Sequence, residues 1–562
     1  MRCSAAFTPA ICFATAGADP RGHVLLGDLM NGTSGRNPAL VTIGCCLLFL
    51  ACAVQYAIAQ NLWIDESTQL SGATLSVGRL IAWLTGTREP AFGVPMDRMP
   101  PISYLIDAAC YRTFCVAPLG YRLLHLAFAT AGLAVATWTV ARRYGVVPGL
   151  VTGLMLALSP KLTELGVEIR AYPIFFAITG VQIAMLFRLI EARRLTPGAL
   201  GLFLLLGLAA GYTHFFGLVS SMALFTGLFV ARATTLREAA GIAGTAVLLV
   251  VLCAGLAPFI MTASAISGVE NVGSGSQAII TYFLRLAGHS ANVVSPVGMV
   301  LFLLPLAGLV AIGAVRIARG FGEQGIAYRR DPAVALAAAL VSGITVTLLA
   351  FFVAKGFNPL KPTYSLWVLP MLATFLGTIC ASRGEKAGWT TRVARGLALV
   401  MLLGAATGEA MIVRHSGWFV HGPSSAIRAA VGDRPVETAV VYEGGWAYGF
   451  FPTFYHYHQS LDQWLIAPDG QLLKIGVGGD PVPADPAALA AKRRIVLVRI
   501  TLRDYHDLRV LRARGPDGVG EGAGPLTLPT DQPPFDHLSA TTRTTQPGLY
   551  QAEIASFERT LR

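Results

Sequence analysis

Long apolar runs separated by short polar connections occupy the chain from residue 38 to residue 413. Most of these runs have close to the roughly 20 residues that an α-helix needs to cross a bilayer. The pattern predicts an α-helical membrane domain with eleven to thirteen transmembrane helices. The eleven runs lie at 39–60, 121–141, 147–164, 171–190, 197–213, 214–231, 238–260, 297–315, 333–354, 364–381 and 395–413.

Composition and charge agree with a polytopic membrane protein. Hydrophobic residues make up 54% and charged residues 13% of the 562 residues, and the mean hydropathy is +0.59, values outside the range of soluble domains. The net charge of +12 would suit a nucleic-acid partner, but the segment from Arg414 onwards holds 15 basic and 15 acidic residues. The excess therefore lies in the membrane domain and indicates the orientation of its helices.

The distribution of arginine predicts that orientation, because basic loops stay in the cytoplasm. By this rule the first 37 residues form a cytosolic tail, unless Met30 is the true start, and the loop 61–120 and everything after residue 413 lie outside. Segment 100–120 is long enough to cross but would then invert every later loop. We predict that it lies at the outer interface or re-enters the membrane.

The external loop 61–120 opens with "WIDES" and continues into an amphipathic pattern over residues 67–84. Apolar positions recur there at helical spacing, with serines and Arg79 elsewhere. This predicts an interfacial amphipathic helix with Asp65 near its start. The nine cysteines lie before residue 414, most of them in apolar runs, and their spacing predicts neither a disulfide framework nor a zinc site.

Ionisable and aromatic polar residues collect in the predicted external turns. An ionisable group at bilayer depth costs roughly 2.5 to 3.5 kcal/mol, so we expect these residues to line a cavity shielded from lipid. Each also has a simpler interpretation: Asp65 as a helix N-cap, His214 as an interfacial histidine, and Lys355 and Lys361 as snorkelling lysines. The candidate site residues are Asp65, Glu66, Asp97, Arg98, Glu168, Arg170, Tyr172, His214, Lys355, Lys361 and Tyr364.

Five short motifs that contain these residues follow one another in a fixed order: "WIDE", "MDRMPPISYL", "EIRAYP", "YTHFF" and "KPTYSLWVLP". Together they resemble the motifs of GT-C glycosyltransferases of the family 39 type, the protein mannosyltransferases and lipid-A aminoarabinose transferases. The resemblance covers about residues 38–413. Members of that family often have an Arg-Tyr pair before a late span, whereas here Tyr364 follows Thr363 and the nearest basic residues are Lys361 and Lys355.

The resemblance implies a glycosyltransferase of the bacterial inner membrane, with an envelope glycan, lipid or protein as acceptor. The predicted topology points to the donor independently, because nucleotide sugars are confined to the cytosol while the carboxylates face outward. The sugar then has to arrive on a lipid, and a polyprenyl-phosphate sugar fits. Arg98, Arg170, Lys355 and Lys361 are candidates for binding its phosphate.

Sugar transfer from a lipid phosphate requires a base more than an acid, because the phosphate is a stable leaving group that nearby cations stabilise further. We predict Asp65 as the base that takes the proton of the acceptor hydroxyl, with Glu66 as orienter, second base or metal ligand. A single displacement would invert the anomeric centre. Two carboxylates beside a phosphate would also suit a divalent cation such as Mg²⁺ or Mn²⁺, although the sequence does not require one.

Two other functions share parts of this pattern. A ligase or polymerase that transfers a whole lipid-linked oligosaccharide would use the same outer site with a longer donor. A secondary transporter or flippase would have a similar number of spans, but it is expected to hold polar residues near mid-membrane and to show repeated halves. The sequence shows neither feature.

The segment 414–562 predicts a small extracytoplasmic α/β domain. The runs "TAVVYEG" and "RRIVLVRI" are typical of buried strands, and "PSSAIRAAVG" is typical of a helix. An aromatic stretch at 444–464 is interpreted either as core of this domain or as a platform for a sugar acceptor. Residues 513–534, rich in Gly and Pro, predict a loop.

Overall fold

The structure is a computed structural model. It describes residues 36–560 except 63, 88–98, 116, 267–278, 281, 284–295, 354–358, 361, 383–387, 415–423, 444–460, 468–469, 476–480, 503–527, 529–533 and 547–549. The predicted N-terminal tail, the aromatic stretch except its last residues, and most of the loop 513–534 lie outside the described residues.

The membrane domain is built from sixteen described helices. They are α1 Arg36–Ala59, α2 Ile64–Ala73, α3 Val77–Leu84, α4 Pro101–Thr113, α5 Pro118–Tyr144, α6 Val146–Ala157, α7 Pro160–Gly166, α8 Tyr172–Glu191, α9 Pro197–Thr213, α10 Phe216–Arg232, α11 Leu236–Cys253, α12 Ala257–Ile266, α13 Pro296–Gln324, α14 Pro332–Val353, α15 Val368–Ile379 and α16 Trp389–Arg414.

Each of the eleven predicted spans coincides with one of these helices or with consecutive ones. Among the described residues, seven are long and apolar enough to cross a membrane, and α6 with α7 forms an eighth that bends by 59°. The bend falls at Pro160, which cannot continue the hydrogen bonding of α6 and instead opens α7. The remaining three, α9, α10 and α15, are apolar helices of 17, 17 and 12 residues.

The external loop differs from its prediction in one respect and agrees in another. The expected single amphipathic helix is two helices, α2 and α3, and the polar residues Ser67, Gln69 and Ser71 of α2 are buried. The prediction of an interfacial helix is therefore wrong for α2, because its polar side chains contact protein instead of headgroups. The segment 100–120 contains α4, whose 13 residues span about 20 Å and are too short to cross.

The sequence predicts no disulfide framework, and the described residues contain one disulfide. Cys110, in the last turn of α4, is bonded to Cys115, and the backbone N–H of Cys115 donates to the carbonyl oxygen of Cys110. The bridge closes the turn between α4 and α5. The two cysteines are only five residues apart in the chain. The distribution of cysteines among apolar runs gives no sign of this local pair.

The C-terminal segment forms a mixed seven-stranded sheet with the strand order β4-β3-β2-β1-β5-β7-β6. Central β1 pairs in parallel with β2 and β5, and the outer pairs are antiparallel. Helix α17 covers one face and the short α18 the other, each over an apolar core. The predicted α/β architecture and its three elements are confirmed. The elements are β1 Thr438–Glu443, β2 Asp462–Ile466, β3 Leu472–Ile475, β4 Pro481–Pro483, β5 Arg494–Leu502, β6 Leu538–Gln546, β7 Tyr550–Arg559, α17 Ser424–Val431 and α18 Pro486–Ala490.

Helices α9 and α10 form a tight hairpin whose turn contains His214. The N–H of Gly217 donates to the carbonyl oxygen of His214 over 2.7 Å. A Cβ on Gly217 would collide with the backbone carbonyl of Ala210. The hairpin therefore requires glycine at this position, since a backbone group cannot move aside as a flexible side chain can.

We expect Gly217→Ala to lower the free energy of unfolding by roughly 1 to 3 kcal/mol or more, as overpacking does. Thermal unfolding of the detergent-solubilised protein measures this. Gly201→Ala, in α9 where a Cβ would meet nothing within 4 Å, is the matched control and should be neutral or slightly stabilising. Equal melting temperatures for both variants would contradict the close approach of α9 and α10.

Candidate active site

Helix α2 brings Asp65 and Glu66 together at its N-terminal end, and Glu66 is entirely buried. Its Oε2 lies 2.5 Å from Nη2 of Arg122 in α5, and its Oε1 accepts the backbone N–H of Ile169 over 3.0 Å. Arg122 also donates to the carbonyl oxygen of Asn61 over 3.0 Å. Both oxygens of Glu66 are thus used to join α2, α5 and the turn that contains Ile169.

Asp65 differs from its neighbour in being only half-buried. Among the described residues no hydrogen bond or ion pair to its carboxylate occurs. Only its backbone carbonyl is used, as the acceptor of a 3.3 Å hydrogen bond from Nη1 of Arg170. Asp65 is the second residue of α2, and no described backbone N–H donates to its side chain, so the N-cap interpretation gains no support.

The turn between α7 and α8 places Glu168 and Arg170 beside α2. Pro173 at the start of α8 ends the turn, since proline favours the first helical position. Glu168 is 6% exposed. Burial first, then the charges of Glu66 and Asp65, raise the pKa of Glu168 well above its usual range, and Arg170 only partly offsets this. The neutral form of Glu168 is therefore favoured by its surroundings, while Arg170 supplies a fixed positive charge.

An aromatic cluster adjoins these groups. It consists of Tyr172, Phe175, His214, Phe216 and Tyr364. The ring of His214 stacks on Phe175 at 5.2 Å between centroids and lies 5.5 Å from Tyr172 and 5.8 Å from Tyr364. Its Nδ1 accepts the N–H of Phe216 over 3.2 Å, which leaves the proton on Nε2.

Nε2 of His214 is buried and has no hydrogen-bond partner among the described residues. A buried N–H without a partner is costly, so this atom is a donor that a bound ligand could satisfy. An ordinary interfacial histidine would instead reach water. Tyr172 is within electrostatic range of Asp65, Glu168 and Tyr364, which makes the cluster continuous with the carboxylates.

The structure therefore brings seven of the eleven candidate residues to one place. The seven are Asp65, Glu66, Glu168, Arg170, Tyr172, His214 and Tyr364. The other four, Asp97, Arg98, Lys355 and Lys361, lie outside the described residues. The predicted role of Arg98, Lys355 and Lys361 in binding a phosphate, and of Asp97 in binding substrate, stays a prediction.

Several buried polar residues were missed by the sequence reasoning. Arg122 and His125 lie in the apolar run 121–141, which is predicted only as a span, yet ionisable residues inside such a run themselves indicate an internal site. Asp107 of α4 and Lys161 of α7 are buried as well. In α16, Glu409 accepts a 2.6 Å hydrogen bond from Oγ1 of Thr163 in α7.

Within the described part of the chain, no group of three or more His, Cys, Asp or Glu side chains is arranged to hold a metal ion. The two oxygens of Glu66 are engaged by Arg122 and Ile169, so its predicted role as a metal ligand gains no support. The divalent cation stays a prediction.

No protein-family model matches the chain, and no curated protein matches it. Among solved structures the chain is similar to ArnT from Cupriavidus metallidurans, in the apo state and bound to undecaprenyl phosphate. In both the identity is 12%, the TM-score is 0.47, and the match covers 91% of this chain and 98% of ArnT. It is also similar to the archaeal oligosaccharyltransferase AglB from Archaeoglobus fulgidus, in complex with an inhibitory peptide and a dolichol-phosphate.

The identity to AglB is 10%, the TM-score is 0.42, and the match covers 82% of this chain and 69% of AglB. Both matched proteins have the GT-C fold that the motif resemblance predicts for the membrane domain. At these TM-scores the matches assign no residue of this chain a role.

Proposed function

We propose that this protein is a membrane glycosyltransferase that moves a sugar from a polyprenyl-phosphate carrier to an acceptor hydroxyl outside the cytoplasm. The observation that carries the proposal is the unengaged carboxylate of Asp65, which lies next to the cationic Arg170 and the aromatic cluster. A carboxylate with no structural partner among the described residues is free to accept a proton. Glu66, which is fully engaged, supports its position.

The reaction is a single displacement at the anomeric carbon. Asp65 takes the proton of the acceptor hydroxyl as its oxygen forms the new bond to that carbon. The bond from the anomeric carbon to the phosphate oxygen breaks, and polyprenyl phosphate leaves with the electron pair. The anomeric configuration inverts, since the acceptor attacks from the face opposite the leaving group.

Arg170 stabilises the charge that develops on the leaving phosphate, together with the predicted contributions of Arg98, Lys355 and Lys361. The Nε2–H of His214 is a donor for oxygen atoms of the sugar or the phosphate. Aromatic side chains such as Tyr172 and Tyr364 offer apolar faces on which a sugar ring can rest.

The disulfide between Cys110 and Cys115 supports an extracytoplasmic position for the loop that carries the site, since disulfides persist in oxidising compartments such as the bacterial periplasm. This agrees with the orientation predicted from arginine. A bacterial inner-membrane location, with the C-terminal domain on the same outer side, completes the proposal.

Donor turnover tests the function. Purified protein in nanodiscs would receive radiolabelled polyprenyl-phosphate sugars one at a time, with a crude envelope fraction as acceptor. We expect acceptor-dependent release of free polyprenyl phosphate with one of them, and a product of inverted anomeric configuration by NMR. Well-folded protein that turns over none of these donors, but does transfer a lipid-linked oligosaccharide, would identify a ligase or polymerase instead.

A further inference from the structure

A buried polar cluster outside the proposed catalytic residues joins two helices of the external loop, α2 and α4, to the membrane span α5. Gln69 lies in α2, Asp107 in α4 and His125 in α5, and all three are fully buried. Nε2 of Gln69 donates to Oδ2 of Asp107 over 2.8 Å, and Nε2 of His125 lies 2.8 Å from Oδ1. We call these three residues the α2 clasp.

Gln69 and His125, the two outer residues of the clasp, both hydrogen-bond to Asp107. Among the described residues, Asp107 is the one hydrogen-bond partner that they share. Nδ1 of His125 and Oε1 of Gln69 are buried without a hydrogen-bond partner among the described residues. A fully buried polar group keeps its orientation only through the bonds that it makes. Each outer side chain is therefore oriented through Asp107.

Helical spacing connects the clasp to the proposed base. Asp65 and Gln69 are four residues apart in α2 and so lie on the same side of the helix. On α5, Arg122 and His125 are three apart and share a face in the same way. Helix α5 thus holds α2 twice, through Arg122 to Glu66 and through His125 and Asp107 to Gln69.

Close packing makes the position of α2 sensitive to these bonds. A Cβ on Gly72 would lie 2.5 Å from Trp83 and 2.6 Å from Tyr104, so α2 approaches α3 and α4 without spare room. If the hydrogen bond between Gln69 and Asp107 were lost, α2 would have to rotate to find another partner for Gln69. The same rotation would move Asp65, which lies one helical turn away.

We propose that Gln69, Asp107 and His125 are positioning residues that set the rotation of α2 and thereby the place of the Asp65 carboxylate. The proposal rests on the function proposed above. The clasp itself does not touch substrate. Its effect is on the geometry of the reacting groups, where an error of about 1 Å costs on the order of a hundredfold in rate.

An exchange of donor and acceptor tests the contact. Gln69→Glu alone sets two carboxylates against each other, so we expect kcat to fall about ten- to a hundredfold while the KM for the lipid donor changes little. Asp107→Asn alone should be mild, because the amide of Gln69 can turn over and accept from the new amide. The double variant restores a hydrogen bond with the roles exchanged, and it should recover most of the lost kcat.

Gln182 provides the matched control, since it is equally buried in α8, its Nε2 donates to Oγ of Ser221 over 2.9 Å, and its Oε1 likewise has no hydrogen-bond partner among the described residues. Gln69→Leu and Gln182→Leu should lower the melting temperature similarly, but only Gln69→Leu should lower kcat per folded molecule. Equal kcat in the two would make the clasp a purely structural contact and overturn the positioning role.

A double variant no better than Gln69→Glu would also overturn the proposal. Wild-type protein that transfers no sugar would instead overturn the proposed function, and the positioning role with it. The melting temperatures distinguish the failure of the positioning role from the failure of the proposed function. If the double variant regains stability, residues 69 and 107 are in contact, whether or not the protein is active.

Discussion

Asp65→Asn is expected to lower the rate of sugar transfer by about 10² to 10⁴-fold while leaving the abundance and the melting temperature of the protein unchanged. The substitution keeps the shape of the side chain and removes its capacity to accept a proton. It also preserves the backbone carbonyl that Arg170 contacts over 3.3 Å. Because no described residue depends on the carboxylate of Asp65, the loss should be confined to kcat.

The measurement is acceptor-dependent release of polyprenyl phosphate, normalised to folded protein. Asp65→Glu serves as the companion variant, since it keeps a carboxylate but displaces it by one methylene, and it should retain more activity than Asp65→Asn. Near-normal transfer by Asp65→Asn at normal abundance would remove Asp65 from the mechanism and return it to a helix-terminal role.

Breaking the pair between Arg122 and Glu66 is expected to have the largest effect on stability. Removing one partner of a buried ion pair costs roughly 3 to 5 kcal/mol, because the other charge is left buried and uncompensated. Arg122→Met leaves the buried carboxylate of Glu66 without its counter-charge. Glu66→Leu leaves Arg122 with only the carbonyl oxygen of Asn61 and removes the acceptor of the N–H of Ile169. Thermal unfolding with each single variant, and with both together, measures the loss.

The double variant should be more stable than either single variant, because no charge is then stranded. Glu191→Gln is the control: it removes one partner of the surface pair between Arg143 and Glu191, whose side chains are 32% and 48% exposed. Such a pair contributes only about 0 to 1 kcal/mol. An effect of Arg122→Met as small as that of the control would mean that the pair does not hold α2.

The helices of the membrane domain could be predicted from sequence because their signal is local. Runs of about 20 apolar residues mark them, and the bend at Pro160 follows from the chemistry of one residue. The strands β1 and β5 were predictable for the same reason, since short β-branched runs are a local pattern. The length of α15 was less predictable, because the predicted run 364–381 includes the residues on either side of Val368–Ile379.

The residues of the candidate site could be predicted from the sequence, but the separate role of each residue could not. The sequence places two adjacent carboxylates after the first span without saying which is engaged. That depends on Arg122, which lies 56 residues beyond Glu66, and on a tertiary contact that no local pattern records. The amphipathic interpretation of α2 failed for the same reason, since burial by α4 and α5 overrides the exposed polar face that periodicity suggests.

The buried polar face of α2 also affects the order in which the protein is made. Glu66 is synthesised 56 residues before Arg122, and Gln69 is synthesised 38 residues before Asp107. Glu66 therefore lacks its ion-pair partner Arg122 until α5 has been synthesised, and Tyr364 arrives only after most of the spans. During this interval the ion pair that holds α2 against α5 has not formed, and such incompletely packed intermediates are the species that chaperones protect.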